Sequence, residues 1–447
     1  MRVAMLARLN LCVLAAWTVI AAGNVYGQYG PPGGAYSQMH AQQANYQAFT
    51  PHPGYYGPPP GSADEQVDPR IITELLPADR GFFWDTQSRL ETAIEDTSHG
   101  AWFRLEYLNT FIDNPGDTLL GAPLPNVPNP REPFLVQTPS GAVVNARVLD
   151  VSAVNFDNIN GIRGTFGIPL QPGTIEASFW GTSESTYRFR SPELPATNPL
   201  QTVDVIATSL LTNNAPGGFV VLYDNSFRYD YAAQIFGAEA NFVYNYHNPR
   251  LGLRCLPIFG VRHTDYDESI KQRGTFNNRS GIGVTPGGAS PILPVPLVRQ
   301  IDSWVDNNSY ALQTGFRTEF AHQYFTLGVE PKAGLGMNHY EATVRTVDLR
   351  DSPFPPIQDD GVVTSNIQKD TISAVFDLQL YAKVHLSDSC RIRVGWSYMY
   401  MGNVARADSI IHYNDQGLAL PPAVTAKKDD QSIWVSSFTI GGEYILP

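Results

Sequence analysis

The chain has 447 residues, enough for one large domain or two ordinary ones. Only 16% of the residues are charged, and 22 Tyr, 22 Phe, 38 Gly and 35 Pro favour strands joined by turns over helices. A formal net charge of -12 without a basic run argues against a nucleic-acid partner, because phosphate binding needs clustered Lys and Arg.

Residues 1–27 have the pattern of a secretory signal peptide. Arg2 and Arg8 supply a positive n-region, residues 9–22 form a short apolar stretch, and cleavage is predicted before Gln28. The alternative, a membrane anchor, would need an apolar run of about 20 residues. We therefore expect export with loss of this segment.

Two segments separate the signal peptide from the first strand. Residues 28–63 are dominated by Gly, Pro, Tyr, Gln and Ala, which predicts a disordered or polyproline-like leader or a tail that touches other envelope components. Residues 64–100 form a linker with a short helical candidate from Thr86 to Ile94. The β domain is predicted to cover residues 101–447.

Apolar and polar residues alternate along much of this domain. The clearest strand is 371–386, where Ile372 and Phe376 lie on one face and Asp377 and Lys383 on the other. Weaker alternation recurs at 102–112, 161–168, 174–180, 227–246, 251–262, 309–320, 324–346, 390–401 and 431–446, with further candidates at 133–138, 142–151, 186–190 and 218–223. These segments predict a transmembrane, antiparallel, up-and-down β-barrel of about 12 strands, in a range of about 10 to 16, with long surface loops.

A soluble β-sandwich also has one apolar face, so alternation alone does not place the chain in lipid. Several strands, however, reach the roughly 9 to 11 residues that cross a bilayer, and their polar faces carry charges that suit a lumen. The expected lumen residues, with the arginines on one side balanced by carboxylates, are Arg104, Glu106, Arg163, Arg254, Arg317, Glu319, Asp377, Lys383, Arg391 and Arg393. The expected aromatic girdle is Trp102, Phe111, Tyr231, Tyr244, Tyr246, Trp304, Trp434 and Tyr444.

Three short segments carry a family resemblance. They are Trp102–Leu108, Gly161–Gly167 and Arg393–Tyr400, the last followed by Asn403–Ala407. Through them the chain resembles, over roughly residues 100 to 447, the planctomycete family of β-barrel porins. The resemblance implies an outer-membrane barrel, with lipid and the barrel assembly machinery as partners. It implies little about mechanism.

The sequence offers no recognisable catalytic or nucleotide motif. It has neither a Gly-rich loop with Lys, nor His-Glu-x-x-His, nor Cys-x-x-Cys, so we expect no enzymatic activity and no cofactor. The acidic run 265–268 could supply oxygen ligands to calcium, but it lacks the spacing and turn glycine of a calcium loop, so no metal site is predicted. Cys255 and Cys390 could form a disulfide in an oxidising compartment or stay free.

Two functions from different classes remain open on the sequence. The leading prediction is a porin through which small hydrophilic solutes diffuse, and the alternative is a non-transporting barrel that anchors or links envelope components. A membrane-embedded enzyme is a weaker third. Strand number separates the first two, because about eight to ten strands leave a filled interior and about 16 an aqueous channel.

Overall fold

The structure is a computed structural model that describes residues 100–137, 143–170, 172–191, 205–245, 253–276, 297–349, 361–415 and 424–446. The chain divides into two compact units, Met1–Ser98 and His99–Pro447, and the described residues lie in the second. The predictions for residues 1–27, 28–63 and the helix at 86–94 fall outside the described residues.

All regular elements in the described residues are strands. In chain order they are β1 (Trp102–Ile112), β2 (Phe134–Gln137), β3 (Val143–Val148), β4 (Phe156–Leu170), β5 (Gly173–Thr182), β6 (Ser185–Arg190), β7 (Val205–Thr212), β8 (Ala215–Tyr223) and β9 (Asn225–Tyr244). They continue with β10 (Leu253–Phe276), β11 (Leu297–Ala321), β12 (Phe325–Val347), β13 (Val362–His385), β14 (Cys390–Val404), β15 (Ile411–His412), β16 (Asn414–Asp415), β17 (Thr425–Ala426) and β18 (Gln431–Ile445). The described residues contain no helix with the length and hydropathy of a membrane span.

Ten of the described strands close into an antiparallel ring. Their order is β1, β4, β5, β9, β10, β11, β12, β13, β14 and β18, and β18 pairs back onto β1. This confirms the predicted up-and-down barrel, at the lower end of the expected range. The estimate of about twelve was high because the extra candidate segments lie outside the ring: β2, β3 and β8 belong to a second sheet, and β6 pairs only with β9.

The two ends of the barrel differ in the length of their connections. Turns at 171–172, 322–324 and 386–389 join strands at one end, where Trp102 also pairs with Ile445. We call this the turn end. The opposite, loop end carries the long connections 113–155, 183–224, 277–296, 348–361 and 405–430. In bacterial outer-membrane barrels short turns face the periplasm and long loops face outward.

The wall of the barrel is apolar outside and charged inside. On β13, Ile372 and Phe376 are 66% and 53% exposed, whereas the intervening Ser373 and the next Asp377 are 0% and 5% exposed. The same alternation exposes Leu312 and Phe316 on β11. A water-soluble protein buries its apolar face, so this inverted arrangement is that of a barrel whose surroundings are lipid.

A cap built from the loop-end connections fills that end of the ring. We define the cap as the described residues of 113–154, 205–224 and 405–430. Strands β2, β3, β7, β8 and β16 form its five-stranded sheet, in which β7 runs parallel to β3 and to β16. One buried apolar cluster joins cap residues such as Leu120, Leu210 and Ile410 to inward-facing wall residues such as Ile270 and Ile301. The cap is therefore packed inside the loop end.

Candidate functional site: the barrel interior

Charged side chains occupy the inward positions in the half of the barrel nearest the turn end. They lie there because every second residue of a strand faces inward. Arg104 Nε lies 3.1 Å from Glu106 Oε2, and Arg104 Nη1 lies 3.5 Å from Glu443 Oε2. Arg393 Nη1 lies 3.1 Å from Glu106 Oε1, and Lys383 Nζ lies 3.3 Å from Glu443 Oε2. These contacts link β1, β13, β14 and β18.

Other ion pairs cross the interior instead of following the wall. Arg317 on β11 donates two hydrogen bonds of 2.7 Å to Glu176 on β5, three strands away around the ring. Lys332 on β12 lies 2.8 Å from Glu239 on β9, again three strands away. In a ring of ten strands, such contacts pass through the space that a pore would need.

The interior pairs are almost completely withdrawn from solvent. The side chains of Glu106, Lys332 and Arg262 are 0%, 1% and 4% exposed. Arg262 pairs with both Glu239 and Asp377. Because an unpaired buried ion costs several kcal/mol, each charge needs the partner beside it.

A residual cavity of about 20 Å³ lies within this network. Its lining includes Arg163, Glu239, Arg262, Asp377 and Ser437. This volume holds about one water molecule. It is far smaller than a channel for a hydrated solute.

The structure places the ten predicted lumen residues as follows. Arg104, Glu106, Arg163, Arg317, Glu319, Asp377, Lys383 and Arg393 lie in the buried interior network. Arg391 is 31% exposed near the turn end, where it pairs with Glu443, and Arg254 is exposed at the same end. The expected arginine side and carboxylate side are wrong, because the two signs interleave: Arg104 contacts Glu106 on its own strand and Glu443 on β18. A role in selectivity stays a prediction.

Sequence reasoning missed several members of the network. They are Glu176, Glu239, Arg262, Glu330, Lys332 and Glu443. The alternation contained the signal, since Glu330 and Lys332 occupy the positions between the outward-facing Val329, Pro331 and Ala333 of β12. Choosing every charged residue on the polar face of each strand would have found them.

Aromatic side chains do face outward at several predicted girdle positions. Phe111 stacks on Trp396 with ring centroids 6.3 Å apart, and Tyr244, Trp434 and Tyr444 are 44%, 48% and 49% exposed. Trp304 also faces outward, but Asp306 and Asn308 separate it from the apolar residues that begin at Tyr310. Tyr246 lies outside the described residues.

Two predicted girdle residues face inward, and their assignment was wrong. Tyr231 is fully buried, and its hydroxyl donates a hydrogen bond of 2.7 Å to Asp408 in the cap. Trp102 occupies an inward position, where the Arg104 guanidinium lies 5.2 Å from its ring centroid. Both errors arose because residue type was read without the direction that the strand gives each side chain.

Cys255 and Cys390 are both free thiols, the second of the two states that the sequence left open. Cys255 lies on β10 and Cys390 on β14, with β11, β12 and β13 between them. Four strand spacings of about 4.8 Å separate the two positions around the wall. A disulfide requires Cα atoms within about 7 Å.

The acidic run 265–268 lies in β10 and not in a loop. Alternation sends Asp265 and Asp267 outward, where their carboxylates and that of Asp306 approach within 4.8 Å of one another. It sends Tyr266 and Glu268 inward to the cap.

Glu268 anchors the cap through a buried arginine. The Arg406 side chain is 2% exposed, and its Nη2 lies 2.9 Å from Glu268 Oε1. Arg406 also donates to the carbonyl oxygens of Asn114 at 3.0 Å and Asp113 at 3.1 Å. Burial lowers the pKa of Arg406, but the Glu268 carboxylate together with Tyr266 and Tyr231 outweighs burial and raises it overall. The guanidinium therefore stays charged and ties β10 to two cap segments.

Comparison with known protein families gives one match. A family model described as Putative beta barrel porin-7 (BBP7) matches residues 102–445. No protein in the curated collection matches the chain.

Solved structures that resemble the chain include three membrane proteins. The outer membrane protease OmpT from Escherichia coli is 13% identical with a TM-score of 0.39, over 78% of this chain and 98% of that one. A Pseudomonas aeruginosa FadL homologue is 9% identical with a TM-score of 0.22, over 77% and 89%. The transport unit of the autotransporter AIDA-I from Escherichia coli is 6% identical with a TM-score of 0.22, over 84% and 97%. With identities and scores this low, nothing about activity follows from these proteins.

Proposed function

The chain belongs to the Putative beta barrel porin-7 family of outer-membrane β-barrels, and from this premise we propose that it is a non-catalytic envelope anchor with a filled interior. The barrel holds the protein in outer-membrane lipid and presents the cap at the loop end. The proposal adopts the structural alternative over the diffusion pore.

One observation carries the proposal: the ion pairs that cross the interior. Arg317 reaches Glu176, and Lys332 reaches Glu239, from strands three positions apart in the ring. On the loop side of these pairs, the apolar cluster of the cap fills the ring. A solute would have to displace buried charges and then a packed core. A barrel of ten strands is also close to the strand number at which side chains fill the interior, whereas open porins have about 16 strands.

Passive diffusion of small hydrophilic solutes is the second candidate, and the family description favours it. The two candidates differ in whether small solutes cross a membrane that contains the protein. We would reconstitute the full chain into liposomes, verify that the barrel is folded by its heat-modifiable migration on a gel, and measure entry of neutral sugars of increasing size. An open porin reconstituted in parallel gives the positive control. Size-graded entry would reject the filled interior, whereas no entry by a folded barrel supports it.

Cysteine accessibility gives an independent measurement. Ser397 and Ser437 are each 6% exposed and face the interior, so we expect Ser397→Cys and Ser437→Cys to react slowly with a hydrophilic thiol reagent. The background would lack the free thiols of Cys255 and Cys390. The matched control is Asp388→Cys in the exposed turn at 386–389, which should react rapidly. Equal rates at all three positions would mean a water-filled lumen.

We also propose that the protein is exported to the outer membrane. The predicted signal peptide at 1–27 would direct export, and its removal would leave Gln28 as the first residue. N-terminal sequencing of protein purified from outer membranes tests this directly. A first residue within 1–27 would contradict the proposed cleavage site.

A further inference from the structure

A cavity of about 450 Å³ opens at the loop end, between the connection that follows β1 and the two segments that flank β15 and β17. Its floor is buried: Asp408, Ile411 and Tyr413 are 2%, 3% and 5% exposed. Its rim is open to solvent, since the side chains of Asp117 and Lys427 are 78% and 47% exposed. The volume falls in the range of small-molecule binding sites, roughly 300 to 1,000 Å³.

Hydrogen bonds fix the walls of this cavity before any ligand enters. The Tyr413 hydroxyl accepts a hydrogen bond of 2.7 Å from Gln272 on β10. The Lys427 amide donates to the carbonyl oxygen of Ile410 at 2.8 Å, and the Ser409 hydroxyl donates to that of Arg406 at 3.1 Å. A wall that is already ordered loses little conformational entropy on binding.

The charged side chains of the rim are two cations and three carboxylates, which face one another. Arg131 Nε lies 2.6 Å from Asp150, and Arg131 Nη2 lies 4.0 Å from Asp117. Lys427 lies 3.8 Å from Asp429. On the floor, burial and the nearby Glu268 raise the pKa of Asp408. An anionic ligand would therefore meet no unopposed cation here.

The uncharged lining combines two kinds of surface. The hydroxyls of Thr118 and Ser409 already donate to the carbonyl oxygens of Pro115 and Arg406, and each keeps a lone pair that accepts a hydrogen bond. The side-chain amides of Asn129 and Gln431 add further donors and acceptors. Prolines 123, 128 and 130 add rigid apolar faces beside them. A ligand that fits both surfaces carries many hydroxyl groups on a C–H framework and has no negative charge.

We propose that this cavity binds a neutral saccharide of one or two rings, with the exposed rim leaving room for a longer glycan to continue into solvent. The inference goes beyond the envelope-anchor function, because the cavity would bind its ligand whether or not the barrel interior passes solutes. Its position at the loop end would offer the site to glycans outside the cell.

The test is a calorimetric titration of the folded full chain in detergent with maltose, cellobiose and N,N′-diacetylchitobiose, beside glucuronic acid as an anionic probe. We expect at least one neutral saccharide to bind and glucuronic acid to bind at least about tenfold more weakly. Thr118→Val and Gln431→Leu should each weaken that binding about 5- to 10-fold, as expected for the loss of one hydrogen bond. Thr118→Trp, which fills the cavity, should abolish it.

The matched control is Glu184→Gln, an exposed isosteric change between β5 and β6 and away from the cavity, which should leave affinity unchanged. Heat-modifiable migration would show that each variant is folded, and if Thr118→Trp fails to fold, the other two variants still decide. Failure of all three neutral saccharides to bind would overturn the proposal. So would equal binding of glucuronic acid, or equal weakening by Glu184→Gln. None of these results depends on the liposome flux measurement.

Discussion

The buried contact between Arg406 and Glu268 offers the sharpest test of how the cap is held. We expect Glu268→Gln, which keeps the size of the side chain, to loosen the cap while the ring stays closed. The substitution leaves the Arg406 guanidinium 2% exposed without its carboxylate. It also weakens the acceptors of the Ala407 amide at 2.9 Å and of the Tyr266 hydroxyl at 2.9 Å. Removing one partner of a buried ion pair typically costs about 3 to 5 kcal/mol.

Hydrogen exchange of the cap amides measures this loss of stability in the cap itself. The amides of Leu211, Asn213 and Lys427 donate to carbonyl oxygens of Tyr413, Asp415 and Ile410 within the cap. If the cap opens locally, their exchange should accelerate by roughly two to four powers of ten, at 1.36 kcal/mol per tenfold. Amides in the β12–β13 ladder should not change.

A double variant and a control variant test whether Arg406 and Glu268 act as a pair. Arg406→Met in the Glu268→Gln background removes both charges, and we expect exchange nearer the wild-type rate than in either single variant, because no unpaired ion remains. Arg131→Met breaks an ion pair whose arginine side chain is 40% exposed, and it should change the rates less than about fivefold. Unchanged exchange in Glu268→Gln, or additive effects in the double variant, would refute the anchoring role of the pair.

Three other outcomes follow from the structure. Gly441→Ala should lower the unfolding temperature in detergent, because a Cβ at position 441 would lie 2.6 Å from the Glu106 Cα. Gly442→Ala should not lower it, since nothing lies within 4 Å of a Cβ at position 442. Equal effects would contradict the close packing of β18 on β1. Burial and Glu268 raise the pKa of Asp408 in the folded cap, so the cap should lose stability as the pH rises from the ordinary Asp range, about 3.8, through the raised folded value. Hydrogen exchange of the cap amides, measured against pH, should show this loss of stability. Asp408→Asn should remove the pH dependence. Arg393 is 2% exposed, and Arg393→Glu should abolish heat-modifiable folding. The Arg391 side chain is 31% exposed, and Arg391→Glu should still fold. The reverse result would place Arg393 in an open lumen.

The sequence predicts the wall of the barrel far better than what fills it. A strand that crosses lipid must alternate over its whole length, so segments such as 371–386 show the pattern without knowledge of their neighbours. The direction of each side chain follows from the same alternation. Tyr231 was misplaced only because its aromatic character was weighed above its position on β9.

The sequence shows three of the cap strands as candidates at 133–138, 142–151 and 218–223, but it does not show that they form a cap. Its strands are short, two of its pairings are parallel, and β3 and β7 meet across about 60 intervening residues. Arg406 and Glu268 are 138 positions apart, and nothing local distinguishes this pair from other charges. Whether the interior is open therefore depended on tertiary contacts that alternation does not encode.

The pairing of β18 with β1 has a consequence for how the protein is made. Arg104 and Glu443 are 339 positions apart in the chain, yet they meet across this seam. The ring stays open, with β1 and β14 presenting free edges, until β18 has been synthesised and inserted. Free edges recruit other strands and promote aggregation, and contacts this distant in sequence form slowly. Through that interval an unfinished barrel is exposed to aggregation.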